Sequence, residues 1–246
     1  MQIAAITDPG KVRSENQDNY RAVCLADGTV WAVVCDGMGG TAGGKLASHL
    51  ACQSLEESFS LLESCPAGNE LDFVTDALKR ANTAVWDHSQ QNWRLAGMGT
   101  TVVSILVRGN RAFLHHAGDS RCYRIRGGKI EQLTKDHSYV QELVDCGTIT
   151  KAEAEHHPQK NMITRAVGVD SHLEVTAQEI SVQEGDLFML CSDGLTNMVP
   201  QSGIMSVLKM TDFYNAPKRL ADTANRNGGN DNITVLLLNL NREDTE

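Results

Sequence analysis

The sequence lacks the features that would place it in several common classes of protein. Its 246 residues contain no apolar run that approaches the roughly 20 residues needed to cross a bilayer. The N-terminus has no basic stretch followed by an apolar one, so it does not predict a secretory signal. No Pro- or Ser-rich linker divides the chain, and its five prolines are scattered, which predicts a single domain spanning residues 1–246.

Charge and cysteine usage exclude further classes. The net charge is −9, from 22 basic and 31 acidic residues, and no block of Lys and Arg interrupts the acidity. This balance argues against a general nucleic-acid or anionic-membrane binder. The seven cysteines form no CxxC pair, as expected in a reducing compartment. We therefore expect a cytoplasmic monomer that binds neither nucleic acid nor membranes.

The pattern of apolar residues predicts a mixed α and β architecture. Short, β-branched-rich runs predict buried strands at 30–35, 101–107, 111–117, 187–191 and 233–240. A hairpin is predicted for 120–126 and 129–133, which are joined by two glycines. Helices are predicted at 43–62, 69–92, 136–146, 151–156, 201–210 and 214–227. Because strands dominate the middle and helices come in groups, the order favours an α+β layered sandwich over a doubly wound parallel sheet.

Five aspartates stand in Gly-, Ser- or Asn-rich corners beside apolar runs. They are Asp18, Asp36, Asp119, Asp193 and Asp231. A carboxylate next to such buried segments is costly or takes up a proton unless its charge is compensated. A shared divalent cation such as Mg²⁺ or Mn²⁺, which prefers hard oxygen ligands, would compensate it. Since Asp36, Asp119 and Asp193 follow predicted strands and Asp231 precedes one, we expect several of the acids to meet at one edge of the sandwich.

Two other motifs resemble nucleotide-binding sequences but do not meet the requirements for nucleotide binding. The stretch 39–46, GGTAGGKL, imitates a phosphate-binding P-loop, but Leu46 stands where the Mg²⁺-binding hydroxyl belongs. A dinucleotide fingerprint beginning at Gly37 would set the Asp36 carboxylate against the pyrophosphate. A calcium-binding module is also disfavoured, because the Asp-rich turns lack the twelve-residue EF-hand loop.

Eight motifs in order resemble one known family. They are RSENQD, DGMGG, GMGTT, AGDSR, TKDHS, ITRAVG, CSDGL and GGNDNITV, and together they cover about residues 3–240. This set resembles the bacterial branch of the metal-dependent, type 2C serine/threonine protein phosphatases. The resemblance implies a four-layer αββα sandwich, with two antiparallel sheets between helices and a flap subdomain at about 136–170. It implies hydrolysis of phosphoserine and phosphothreonine in proteins.

The resemblance also assigns roles to the aspartates. Asp36 would bridge two Mn²⁺ or Mg²⁺ ions, and the carbonyl of Gly37 would join one of them. Asp193 and Asp231 would hold the other ion. Asp18 would touch the ions directly or through water, and a third, weaker ion would be held by Asp119 and Asp193.

Substrate binding and proton transfer follow the same resemblance. Arg13 matches the family's phosphate-binding arginine. Met38 and Thr41 stand where many relatives carry histidine, so no catalytic histidine is assigned and protonation of the leaving group is left to water. The resemblance further implies a cognate Ser/Thr kinase as the opposing partner, with type VI secretion as one setting. A catalytically silent phosphoprotein-binding scaffold and a phosphatase for phosphotyrosine or small phosphoesters remain alternatives.

Overall fold

Two antiparallel sheets form the centre of the computed structural model, which describes residues 1–60, 62 and 67–240, without the side chains of 40–42. The strands of the first sheet, in spatial order, are β1 (Gln2–Asp8), β11 (Ile233–Asn239), β10 (Leu187–Cys191), β7 (Arg121–Arg126) and β8 (Lys129–Gln132). Those of the second are β2 (Asp18–Cys24), β3 (Val30–Met38), β5 (Val102–Arg108), β6 (Arg111–Ala117) and β9 (Thr176–Ser181), with β4 (Gly99–Thr100) paired to β3.

Helices cover the outer face of each sheet. The second sheet carries α1 (Gly40–Ser60) and α2 (Glu70–Gln91), and the first carries α6 (Gln201–Met210) and α7 (Ala216–Arg226). Three short helices lie in connections: α3 (Tyr139–Asp145), α4 (Lys151–Glu155) and α5 (Asp193–Thr196). Within the described ranges, no helix combines the length and apolarity that a membrane crossing requires.

Alternation of side chains along the strands creates three apolar layers. On β3, Trp31 and Val33 pack against α1 and α2, whereas the intervening Ala32 faces the other sheet. On β11, Leu236 packs between the sheets and Leu237 packs toward α6 and α7. Each central strand is therefore buried on both faces, which explains the continuous apolar runs of the sequence. The α+β sandwich predicted from the sequence is confirmed.

Some predicted boundaries were wrong. The strand predicted at 30–35 continues to Met38, so Asp36 lies within it and not after it. Helix α1 begins at Gly40, three residues early, and residue 61 of its predicted end lies outside the described residues. The helix predicted at 136–146 begins only at Tyr139, because Ser138 caps it and the backbone of His137 bonds to Gly118 and Thr164.

Strands β1, β2, β4 and β9 were not predicted. Three of them, β1, β2 and β9, lie at sheet edges. Edge strands keep polar side chains, and β9 alternates half-buried with exposed residues over the sequence TAQEIS. β4 has only two residues, fewer than a periodic pattern needs to be visible.

A buried ion pair closes the turn before β10. The side chain of Asp186 is 0% exposed and accepts hydrogen bonds of 2.6 Å from both Nε and Nη2 of Arg126. It also accepts the backbone N–H of Gln183 at 2.9 Å. Burial acts to raise the pKa of Asp186, but the bonds from Arg126 and Gln183 outweigh it and the pKa is lowered.

We expect Asp186→Asn to lower the free energy of unfolding at pH 7 by roughly 1–3 kcal/mol, because charged hydrogen bonds are lost. The folded pKa lies below the unfolded value of about 4, so this contribution is present above pH 4 and is lost as the pH falls through the folded pKa. Urea unfolding at pH 7 and pH 3 measures it. Glu184→Gln, an exposed carboxylate two residues away, is the control. An equal loss at both pH values would contradict the assignment.

Candidate active site

A cleft of about 600 Å³ opens where the two sheets meet. Six of the seven residues assigned to the site line it: Arg13, Asp36, Gly37, Asp119, Asp193 and Asp231. Met38, Thr101, Asn161 and Ile163 complete much of its wall. The aspartates, which are far apart in sequence, therefore come together as expected from their positions beside the strands.

Both sheets contribute to the cleft. Asp36 lies in β3 and is paired in register with Asp18, the first residue of β2. Asp119 lies in the turn between β6 and β7 of the two different sheets. Asp193 opens the short helix α5 directly after β10, and Asp231 lies two residues before β11. The antiparallel neighbours β10 and β11 bring these last two aspartates to the same edge.

Asp18 is the one predicted residue that does not line the cleft. It is 7% exposed, and its Oδ2 accepts 2.7 Å hydrogen bonds from the hydroxyls of Ser192 and Thr234. Its Oδ1 is buried and has no hydrogen-bond partner among the described residues. Burial, opposed by those two hydroxyls and reinforced by the charges of Asp193 and Asp231, raises the pKa of Asp18 to about 7.

The carboxyl groups in the cleft destabilise one another's ionised forms. Burial first, and then the charges of neighbouring aspartates, raise the pKa of Asp36 well above its ordinary value. Burial with the charges of Asp193 and Asp136 raises the pKa of Asp119 to about 7. The pKa of Asp193 is raised by burial and by Asp231, although its hydrogen bonds with Asp36 and Asn197 act against this. So many acids together need positive charge nearby.

The residues fit divalent cations. The donors are carboxylate oxygens and the Gly37 carbonyl, the ligand type of Mg²⁺ and Mn²⁺, and the unpartnered Oδ1 of Asp18 is a further donor. These side chains are not arranged around a cation in this structure. In the described part of the chain, no three His, Cys, Asp or Glu side chains already stand as ligands of one ion.

Arg13 lies at the mouth of the cleft. Its Nη2 donates a 2.8 Å hydrogen bond to Oδ2 of Asp231, and its side chain is 57% exposed. The hydrogen bond and charge of Asp231, and to a smaller extent the charges of Asp36 and Asp193, raise the pKa of Arg13. The guanidinium is thus held over the carboxylates with much of its surface toward solvent.

Gly37 is required by backbone packing. A Cβ at this position would collide with the carbonyl of Gly44 in α1 and lie 2.6 Å from the carbonyl oxygen of Gln17. The absence of a side chain lets three backbone segments meet directly beside Asp36. This requirement accounts for the glycine independently of any metal.

Asn232 is a site residue that the sequence analysis missed. Its Nδ2 donates to the carbonyls of Pro9 and Glu15, both at 2.9 Å, and its Oδ1 accepts the N–H of Gln17 at 2.8 Å. One buried amide therefore attaches the loop that carries Arg13 to the residue after Asp231. The GGNDN motif includes this residue, but an Asn in such a motif usually indicates a turn, so the sequence did not predict its role.

The segment 136–170 contributes Asn161 and Ile163 to the wall of the cleft. Its designation as a flap stays a prediction, as does the single-domain assignment, whose last residues 241–246 lie outside the described part. Met38 lines the cleft, whereas the side chain of Thr41 is outside the description. No histidine lines the cleft within the described residues.

Comparison with known proteins gives one consistent family. A family model described as Protein phosphatase 2C matches residues 11–235. The serine/threonine phosphatase stp of Listeria monocytogenes is 36% identical over 234 residues, which cover 94% of this chain and 93% of the relative.

Solved structures agree with this result. The catalytic domain of the serine threonine protein phosphatase PstP, in complex with two manganese ions, is 36% identical with a TM-score of 0.87 over 98% of both chains. PppA, described as a key regulatory component of T6SS in Pseudomonas aeruginosa, is 35% identical with a TM-score of 0.85, over 97% of this chain and 96% of that one.

We expect Asn232→Ala to lower the free energy of unfolding by roughly 1–3 kcal/mol, because buried backbone groups lose their partners. The KM for p-nitrophenyl phosphate should rise as well, since the loop bearing Arg13 is loosened. Thermal unfolding and steady-state kinetics measure the two effects. Asn230→Ala, an exposed Asn in the same motif, is the matched control. A variant with reduced stability and unchanged KM would refute the link to Arg13.

Proposed function

This chain belongs to the protein phosphatase 2C family and is a protein serine/threonine phosphatase, and on that premise we propose that it works through a metal-dependent mechanism in the cleft described above. The observation that supports the proposal is the convergence, beside one arginine, of half-buried acids in the cleft and the buried Asp18 next to it, most of them with raised pKa values. Such an arrangement suits a dianionic substrate only when cations are also present.

Six residues are the proposed ligands. The core ions, Mn²⁺ or Mg²⁺, would be held by Asp36, the Gly37 carbonyl, Asp193, Asp231 and Asp18, and a weaker third ion by Asp119 and Asp193. When bound, two such cations supply a water of lowered pKa and positive charge facing the phosphoryl group. The similarity to PstP with two manganese ions supports this choice of metal.

The side chains of the chain have separate tasks in this scheme. Arg13 would bind two phosphate oxygens with its planar fork, which a lysine cannot reproduce. A guanidinium carries five N–H donors, so the Nη2 bond to Asp231 leaves donors available to the substrate. Ser192 and Thr234 hold Oδ2 of Asp18 and leave its Oδ1 for a cation. Protonation of the leaving group is left to water.

We infer that the enzyme acts in the cytoplasm on bacterial proteins phosphorylated by a cognate Ser/Thr kinase. The similarity to PppA favours type VI secretion control as one setting. A kinase encoded nearby, whose autophosphorylated form this enzyme dephosphorylates, would support this pairing.

The function is tested with a panel of phosphopeptides. With Mn²⁺ present, we expect phosphate release from phosphoserine and phosphothreonine peptides, at least tenfold faster than from phosphotyrosine peptides. A chelator should stop the release and added Mn²⁺ should restore it, and Asp36→Asn is the inactive control. Full activity in chelator rejects the metal mechanism. Hydrolysis of phosphotyrosine or small esters alone rejects the substrate class, and peptide binding without hydrolysis indicates a silent scaffold.

Arg13→Ala should chiefly raise KM, because substrate binding loses charged hydrogen bonds worth about 1.5–3 kcal/mol, or roughly a tenfold or larger change. The value of kcat should fall much less, since the carboxylates remain. Lys11→Ala removes an exposed cation of the same loop that does not line the cleft, and it is the control. An unchanged KM in Arg13→Ala, or an equal rise in both variants, would argue against a specific phosphate contact.

A further inference from the structure

The GMGTT motif at 97–101 has no role in the function proposed so far, yet its last residue lies between two segments that carry proposed ligands. Thr101 is 3% exposed and joins β4 to β5 at the wall of the cleft. Its Oγ1 accepts the backbone N–H of Asp36 at 3.0 Å. The same Oγ1 shares a 2.7 Å hydrogen bond with the hydroxyl of Ser120, the residue after Asp119.

The same motif also binds the carbonyl group of Asp36. The N–H of Thr101 donates to the Asp36 carbonyl at 2.8 Å, and the Oγ1 of Thr100 donates to the same carbonyl at 2.9 Å. Thr100 in turn exchanges two backbone hydrogen bonds with Val167, of 2.9 and 2.8 Å. Asp36 is thus restrained at both its N–H and its C=O by one short segment.

The turn that carries Asp119 packs directly on the same threonine. Gly118 has φ +112°, and a Cβ there would lie 2.7 Å from both Cβ and Cγ2 of Thr101. Glycine is therefore the residue that permits this approach. With Ser120 hydrogen-bonded to Oγ1, the turn is fixed on both sides of Asp119 against one side chain.

We propose that Thr101 is a positioning residue that fixes the segment of Asp36, a ligand of the core ions, relative to the turn of Asp119, a ligand of the third ion, and that it thereby raises the affinity of the cleft for divalent cations. The inference rests on the proposed function. Thr101 is suited to this task because its single hydroxyl accepts a bond from one ligand segment while it is bonded to the other. Hydrogen-bond partners behind metal ligands orient those ligands, and their loss commonly weakens metal binding by about 10–100-fold.

The test measures cation binding directly. Mn²⁺ is titrated calorimetrically into metal-free wild type, Thr101→Val, Thr101→Ser and Ser120→Ala. Valine keeps the shape of threonine without the hydroxyl, and serine keeps the hydroxyl. We expect Thr101→Val to bind Mn²⁺ at least about tenfold more weakly than wild type, Thr101→Ser to stay within about threefold of wild type, and Ser120→Ala to lie between. The double variant Thr101→Val/Ser120→Ala should bind Mn²⁺ no more weakly than Thr101→Val alone, because both single changes remove the same hydrogen bond between Thr101 and Ser120.

A control separates positioning from stability. Ser104→Ala removes a buried hydroxyl that also accepts a hydrogen bond, from Nε1 of Trp31 at 2.8 Å, but that does not line the cleft, and it should leave Mn²⁺ affinity unchanged. Hydrogen exchange of the Asp36 amide in the metal-free protein should accelerate in Thr101→Val and not in Ser104→Ala. This second measurement is independent of bound metal and of activity.

The outcomes are distinct. The inference would be overturned if Thr101→Val bound Mn²⁺ as tightly as wild type does, or if Thr101→Ser bound Mn²⁺ as weakly as Thr101→Val. If Thr101→Val does not fold, Ser120→Ala decides, and wild-type affinity in that variant would overturn it equally. Absence of Mn²⁺ binding by the wild-type protein would instead remove the proposed metal mechanism on which the inference rests.

Discussion

Crowding of several carboxyl groups, one of them buried and the others half-buried, is the constraint on which the rest of this structure depends. Asp18, Asp36, Asp119 and Asp193 all have raised pKa values, because partial removal from water and mutual repulsion disfavour their ionised forms. Such a cluster is destabilising by itself and is tolerated where it has a use. In the mechanism we propose, divalent cations would favour the ionised acids and present positive charge to a phosphate in an otherwise acidic protein.

The two-sheet sandwich provides the rigid frame that this cluster needs. The strands β3, β10 and β11 contribute to the apolar layers on both of their faces, and this packing fixes the positions of the strand ends next to which the acids lie. Polar side chains then connect the segments across the sheets. Asn232 ties the Arg13 loop to β11, Ser192 and Thr234 hold one oxygen of Asp18, and Thr101 joins Asp36 to the Asp119 turn. We propose that these hydrogen bonds orient the acids that would hold the ions.

Prediction from the sequence succeeded where burial imposes a pattern and failed where it does not. The strands at 30–35, 187–191 and 233–240 were recognised because both faces are apolar, and helix 69–92 because one face is. The edge strand β9 alternates half-buried with exposed residues, and β1 and β2 are mostly half-buried, so none of the three has the long, fully buried apolar run that marks the central strands. The late start of α3 depends on bonds from His137 to Gly118, a contact between residues 19 positions apart.

The amino-acid order alone specifies which oxygen donors are present, that most of them stand beside buried strands, and that they come in a recognisable order. The arrangement of these donors in space follows from the packing of the two sheets. This packing places Asp18 behind the cleft and not on its wall, pairs Arg13 with Asp231, and assigns Asn232 and Thr101 to the support of the site. The physical reason is that residue types and local periodicity encode burial and ligand preference, whereas hydrogen bonds between distant segments exist only after the sheets have packed.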